Sequence, residues 1–205
     1  MKRIFLAALL AIGLGAAAQA DTTPEATPVQ TLNNGLLAAM KAGSGGASIS
    51  ARDAQLAPVV AQSYDLQVVT KNSVGFLWST LPAAQQQELV KLIGEFTTTS
   101  YASQFSSFSG ESFSILPDEK KLGANYIIQS KLKPGGGGEP VDLDYVVQNT
   151  PQGWRITDVL LGGTISQVAL HNSDFASLVS SGDASRLIKA LKAKIAALQG
   201  GAASQ

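Results

Sequence analysis

His171 is the single histidine of the chain, and Asp174 follows it by three residues. On a helix that spacing sets a carboxylate beside an imidazole, a pair able to move protons. Hydrolytic work would also need a nucleophile, and no Gly-x-Ser-x-Gly elbow occurs in the chain. The same pair is common on a solvated helix face. Asp142 and Asp144 alternate along one run and would share a strand face. Paired carboxylates can do acid–base chemistry or hold calcium. The plainer reading, preferred here, is the wet side of a half-buried sheet. Gly135 to Gly138 lacks the Lys-Ser/Thr and the helix start that a phosphate loop requires.

Composition removes further chemistries. The 205 residues include no cysteine, which excludes a disulfide scaffold, a zinc finger, an iron–sulfur site and a thiol nucleophile. One histidine excludes a multi-histidine metal cage. Fifteen Lys+Arg balance fifteen Asp+Glu, so the chain has no basic excess for nucleic acid. Charged residues make up only 15% and hydrophobic ones 45%. A chain so poor in charge carries a membrane segment or more apolar surface than its own core needs.

Part of that excess lies at the start. Lys2 and Arg3 precede a short apolar run from Ile4 to Leu14, and Ala18-Gln19-Ala20 forms an A-x-A site. This pattern predicts a signal peptide over 1–20, cleaved after Ala20, and a periplasmic address. Cleavage removes two basic residues and leaves 13 against 15 acidic ones, a net charge of −2. No later stretch is apolar enough to span a bilayer.

The elements that must position any site read as helices, then strands, then helices. Residues 21–28 are polar, with two prolines, and are expected to be a flexible start. Leu32, Leu36, Leu37 and Met40 predict a first helix over 29–42. A second is expected from Ser50, its cap, to about Ser63. Residues 66–79 read as a third. Thr80 as cap and Pro82 in the first turn open a long helix. Leu89, Ile93, Phe96, Tyr101, Phe105 and Phe108 recur on one of its faces. Beyond Gly110 the period becomes two. Strands are expected over 111–116, 124–132, 141–147 and 154–161, the middle pair joined by the Gly135–Gly138 loop. Helical pattern returns over 164–181 and after Asp183, the expected cap of a last helix, and residues 200–205 read as a disordered tail. The chain is therefore read as one α+β domain over 29–199 with a four-stranded antiparallel meander.

Several segments resemble one family in order and spacing. Tyr64-Asp65-Leu66 is similar to its aromatic-Asp-hydrophobic element, and Gly75-Phe76-Leu77-Trp78 to its Leu-Gly-x-x-Trp element. Gln85-Gln86-Gln87 and Glu95-Phe96 match its long helix. Tyr101-Ala102 and Gly110-Glu111-Ser112-Phe113 match the exit into the first strand. Trp154-Arg155-Ile156-Thr157-Asp158-Val159 corresponds to its Trp-x-hydrophobic-x-Asp-Val strand. The chain thus resembles the periplasmic lipid carriers that include MlaC and the toluene-tolerance auxiliary proteins, from about Ala47 to Leu198. After the last strand it reads Gly163-Thr164-Ile165-Ser166, then His171-Asn172-Ser173-Asp174-Phe175, without the Tyr-Arg pair of the phospholipid carriers. That version looks like the hopanoid-associated HpnM branch.

The resemblance implies a curved sheet wrapped by helices around an apolar cavity that takes lipid tails. It implies a soluble shuttle, without catalysis or cofactor, for a phospholipid or hopanoid-type lipid. The expected partner is a membrane lipid-transport complex, and the carrier is expected to be a monomer. The apolar faces supply candidates for the cavity wall: Tyr64, Leu66, Val69, Phe76, Leu89, Ile93, Phe96, Tyr101, Tyr126, Tyr145, Trp154 and Ile156. Asp65 and Arg155 are candidates for structural pairing near the mouth. Gly135–Gly138 and Gly162-Gly163 are candidate hinges. Two other readings stay open: a periplasmic α+β enzyme using His171, and a non-catalytic adaptor whose apolar faces are filled core.

Overall fold

A computed structural model describes residues 23–200. The expected leader, 1–20, and the tail beyond Gly200 lie outside the described residues. The part of the expected flexible start that is described is ordered. Residues Pro24–Ala26 form a 3-10 turn, and the Thr23 hydroxyl donates to the Glu119 carboxylate of the first strand.

Helix α1 (Thr27–Ser44) buries Val29, Leu32, Leu36 and Met40 along one side; Gly45 is its C-cap, and the chain turns away at Gly46, which takes φ +89°. Helix α2 (Ile49–Ser63) is capped by Ser48, whose hydroxyl accepts the Ala51 N–H at 3.1 Å. Ser48 has the extended backbone a cap requires, so the expected cap, Ser50, falls inside the first turn. Asp65 caps α3 (Leu66–Val74) by accepting the Val68 N–H at 2.9 Å. Asp65 and Arg155 form no ion pair among the described residues; Arg155 donates to the Trp154 carbonyl instead. The single element expected over 66–79 is two: Gly75, at φ +75°, breaks it, and Gly75–Thr80 continues as a 3-10 helix.

Helix α4 (Ala83–Gln104) starts at Pro82, without a side-chain cap. Thr80, the expected cap, donates to Leu77 O and accepts the Gly182 N–H. The helix start is held instead by Gln86, which donates to Trp78 O at 2.8 Å, and by Gln85, which accepts the Ala184 N–H at 2.8 Å. At the far end Phe105 is the cap and Phe108 lies beyond the helix.

The sheet has five strands, not four, in the order β1-β2-β3-β4-β5, with every neighbouring pair antiparallel. They are β1 (Ser112–Leu122), β2 (Asn125–Lys133), β3 (Val141–Thr150), β4 (Gly153–Leu161) and β5 (Ile165–Ser166). The extra strand comes from the Gly162-Gly163 turn, where both residues take positive φ and fold Ile165 back onto Leu161. Helical periodicity over 164–181 concealed this two-residue strand. Two bulges bend the sheet. In β1 the register slips between Ile115 and Glu119 around Pro117, which an edge strand tolerates. In β4 an extra residue, Thr157, stands between the partners of Val146 and Val147. Asp142 and Asp144 do not share a wet face. Asp144 is buried and accepts the Ser130 N–H at 3.3 Å, while Asp142 pairs with Lys131 at 2.5 Å.

After β5 come α5 (Gln167–Phe175), a 3-10 turn and α6 (Ser185–Gln199). Asp183 accepts the Ser185 N–H, but Ala184 occupies the cap position. α2 and α6 pack on α4, α1 packs on α2, and α3 packs on α5. α4 is about 33 Å long at 1.5 Å per residue. Its Leu89, Leu92 and Ile93 are buried in core, while Phe96 and Tyr101 lie further along towards its C-terminal end.

Candidate functional site: an apolar cavity under the sheet

An internal cavity of about 270 Å³ opens between the C-terminal half of α4, the inner faces of β3 and β4, and α5. α4 contributes Phe96 and Tyr101, with Phe105 at its end. β3 contributes Leu143 and Tyr145, and β4 contributes Val159 and Leu161. Direct pairing of Tyr145 with Val159, and of Leu143 with Leu161, puts these four on one face of the sheet. Leu36, Tyr64, Val69 and Val168 complete the apolar lining. Thr97, Ser100, Gln104, Asp158, Gln167 and His171 add polar groups. Leu161 is 37% exposed and its cross-strand partner Ile165 54%. The apolar lining therefore continues outwards along one row of the sheet.

Tyrosine hydroxyls are the polar feature of the interior. Tyr64 Oη and Tyr101 Oη lie 2.5 Å apart, and Tyr145 lines the same cavity. Tyr64 is fixed by a bridge to Ile156 of β4 and by the adjacent Asp65 N–H bonding to Ile156 O at 2.9 Å. Burial raises all three phenols: Tyr101 to about 12, Tyr64 and Tyr145 well above the ordinary value. They are neutral at physiological pH. A buried hydroxyl without a partner costs about 1–3 kcal/mol, so their pairing matters to any ligand.

Asp158 and Ser166 build the start of α5. The Asp158 carboxylate accepts the Val159 and Val168 N–H groups, at 2.8 and 3.1 Å, and the Ser166 hydroxyl at 2.5 Å. Ser166 in turn caps α5 by accepting the Ala169 N–H. His171 sits one turn on, stacked on Phe175 at 5.3 Å and tilted against Phe96 at 5.9 Å. Its buried Nδ1 has no hydrogen-bond partner among the described residues. Burial lowers its pKa, against the opposing pull of Asp174 and Asp158. No carboxylate orients the imidazole by a hydrogen bond, and its packing is that of a wall residue.

Five of the twelve candidate wall residues line this cavity: Tyr64, Val69, Phe96, Tyr101 and Tyr145. Leu89, Ile93 and Ile156 are fully buried core. Tyr126 and Trp154 pack edge-to-face on each other at 5.5 Å, away from it. Leu66 lines a second, more open groove of about 220 Å³ between α2 and α4. Phe76 is 88% exposed. The break at Gly75 turns it out of the face it would share in a continuous helix. The lining residues Leu36, Phe105, Leu143, Val159, Leu161 and Val168 were absent from the candidates. Phe105 and Leu143 carried the same signal as their chosen neighbours, whereas Val159 and Leu161 join through strand pairing alone. Among the described residues no cluster of three acidic, histidine or cysteine side chains could hold a metal. No helix there is long and apolar enough to cross a membrane. Of the candidate hinges, Gly135 packs against the Ser109–Gly110 backbone and Gly163 lies against Asp144, whereas Gly136, Gly137 and Gly162 are open.

Comparison with known proteins adds two findings. The family model described as MlaC protein matches residues 30–193. Among solved structures, the phospholipid-binding protein of Ralstonia solanacearum, solved in complex with a phospholipid, superposes with a TM-score of 0.72 at 22% identity. The match covers 85% of this chain and 98% of that one, and at this identity it shows a shared fold. No curated protein matches the chain.

Proposed function

The chain belongs to the MlaC family, and from that premise we propose that it is a periplasmic lipid carrier. It takes the acyl chains of a phospholipid into the cavity and passes the lipid between membrane-associated complexes. The observation that carries the reading is the cavity, walled largely by apolar side chains and neutral tyrosine hydroxyls, with Asp158 as its one carboxylate and the part-exposed Leu161 in its lining. Each buried methylene contributes about 0.8 kcal/mol, so a chain of about ten methylenes contributes on the order of 8 kcal/mol. That holds a lipid against water and still permits transfer to another apolar site. The phospholipid-bound Ralstonia solanacearum protein of the same fold supports the choice of ligand class.

At about 270 Å³ the cavity lies at the lower edge of ligand-pocket sizes, roughly 300–1,000 Å³. A two-chained lipid therefore requires the wall to move. α5 is the candidate, a nine-residue helix rooted on Gly162-Gly163. A hopanoid-type cargo is the second reading, favoured by the departure of Gly163–Phe175 from the phospholipid carriers. The unpartnered Nδ1 of His171 weighs against an enzyme.

Expression with the native leader in a bacterial host, followed by lipid extraction and mass spectrometry of the purified protein, tests the proposal. The expected result is co-purified phospholipid, or hopanoid where the host makes it. A folded preparation that carries no lipid and takes none up from vesicles would overturn it.

A further inference from the structure

Three tyrosines from three separate parts of the fold meet inside the cavity. Tyr64 comes from the α2–α3 link, Tyr101 from α4 and Tyr145 from β3. A tyrosine hydroxyl has one proton to donate. In the Tyr64–Tyr101 pair one hydroxyl donates to the other, which leaves the acceptor's own proton free. The Tyr145 hydroxyl has no hydrogen-bond partner among the described residues. Three hydroxyls thus bring three protons, and their mutual contacts use one. A plain hydrocarbon would leave two donors unpaired against apolar surface. A phosphate is a poor match, because the Asp158 carboxylate lines the same cavity and would repel it.

We propose that the hydroxyls of Tyr64, Tyr101 and Tyr145 form a polar subsite that receives a neutral acceptor oxygen set within an otherwise apolar ligand. Two sources carry that chemistry: the ester carbonyl of a diacyl lipid, and a hydroxyl on a hydrocarbon skeleton. The subsite fixes how deep the ligand sits, with the oxygen at the tyrosines and hydrocarbon along Phe96, Leu143 and Val159. The inference rests on the carrier reading and names the ligand feature which that cavity selects.

The test is competitive binding to the lipid-stripped mature protein, in two arms. One compares a diacyl phospholipid with its dialkyl ether analogue of equal chain length and headgroup. The other compares a long-chain alcohol with the matching alkane. The expected result is about tenfold tighter binding of the oxygen-bearing member in at least one arm. The arm that discriminates identifies the source. Tyr145→Phe, which keeps the ring, should lose most of that preference. Equal affinities in both arms of the wild type would overturn the subsite and leave the carrier reading standing. So would a preference unchanged in both Tyr145→Phe and Tyr101→Phe. Failure of the folded wild type to bind any of the four ligands would overturn the carrier reading and the subsite together.

Discussion

His171 and the tyrosines show how burial acts on single side chains. Both are held neutral: the imidazole because its pKa is lowered, the phenols because theirs are raised. For His171 the sign of the pH effect follows directly. Its folded pKa lies below the ordinary 6.5, so the unfolded chain binds the extra proton first as pH falls. Stability is therefore fully present above about 6.5 and declines as pH falls towards the folded value. Because His171 is the only histidine, it is the one side chain whose unperturbed pKa lies in that window. Thermal unfolding between pH 7 and 5 should show a declining midpoint in the wild type and a flatter profile in His171→Phe. An equal decline in both would assign the effect elsewhere. The Nδ1 of His171 has no hydrogen-bond partner among the described residues, so Asp174, three residues on, does not orient the ring. The sequence spacing allowed the pair; ring stacking on Phe175 decided against it.

Helices and strands are locked together at a few close approaches, and these set what the elements tolerate. Gly43 lies in the last turn of α1, where a Cβ would overlap the Ser106 carbonyl of the segment leaving α4. Helix propensity alone favours alanine there by about 1 kcal/mol. The overlap with rigid backbone costs more, about 1–3 kcal/mol or above. Gly43→Ala should thus lower the unfolding midpoint by several degrees. Gly136→Ala, in open space, should leave it nearly unchanged. A stabilised Gly43→Ala variant would show that the segment after α4 yields easily. Arg52 closes the same corner: its guanidinium donates to Ala102 O at 3.0 Å and to Ala47 O, meeting the carbonyl end of α4 with positive charge. Period and turn residues marked these elements well. Boundaries failed where geometry outweighed pattern, as at Gly75, which splits a helix, and at Gly162-Gly163, which creates β5.

At the scale of the whole molecule, folding leaves about 270 Å³ unfilled between helices and sheet, and ligand occupancy should report on it. A ligand that binds only the folded state stabilises it by RT ln(1 + [L]/Kd), about 2.7 kcal/mol at a hundredfold excess over Kd. Phospholipid-loaded protein should therefore unfold at a higher temperature than lipid-stripped protein, with the difference growing with lipid concentration. Coincident melting curves at saturating phospholipid would contradict the cavity as the binding place. The amino-acid order alone carried the α+β class, the meander, the aromatic stripe of α4 and the absence of thiol chemistry, because periodicity and composition are local properties. It did not separate Phe96 and Tyr101 from Leu89 and Ile93, which share that stripe. A period states which side of an element is apolar; what stands opposite that side depends on where the other elements come to rest. Only tertiary structure set α6 against the start of α4, where Lys192 meets Glu88, and a cavity against Phe96 and Tyr101. It likewise brought three tyrosines from distant positions into one cavity, and turned Phe76 outwards.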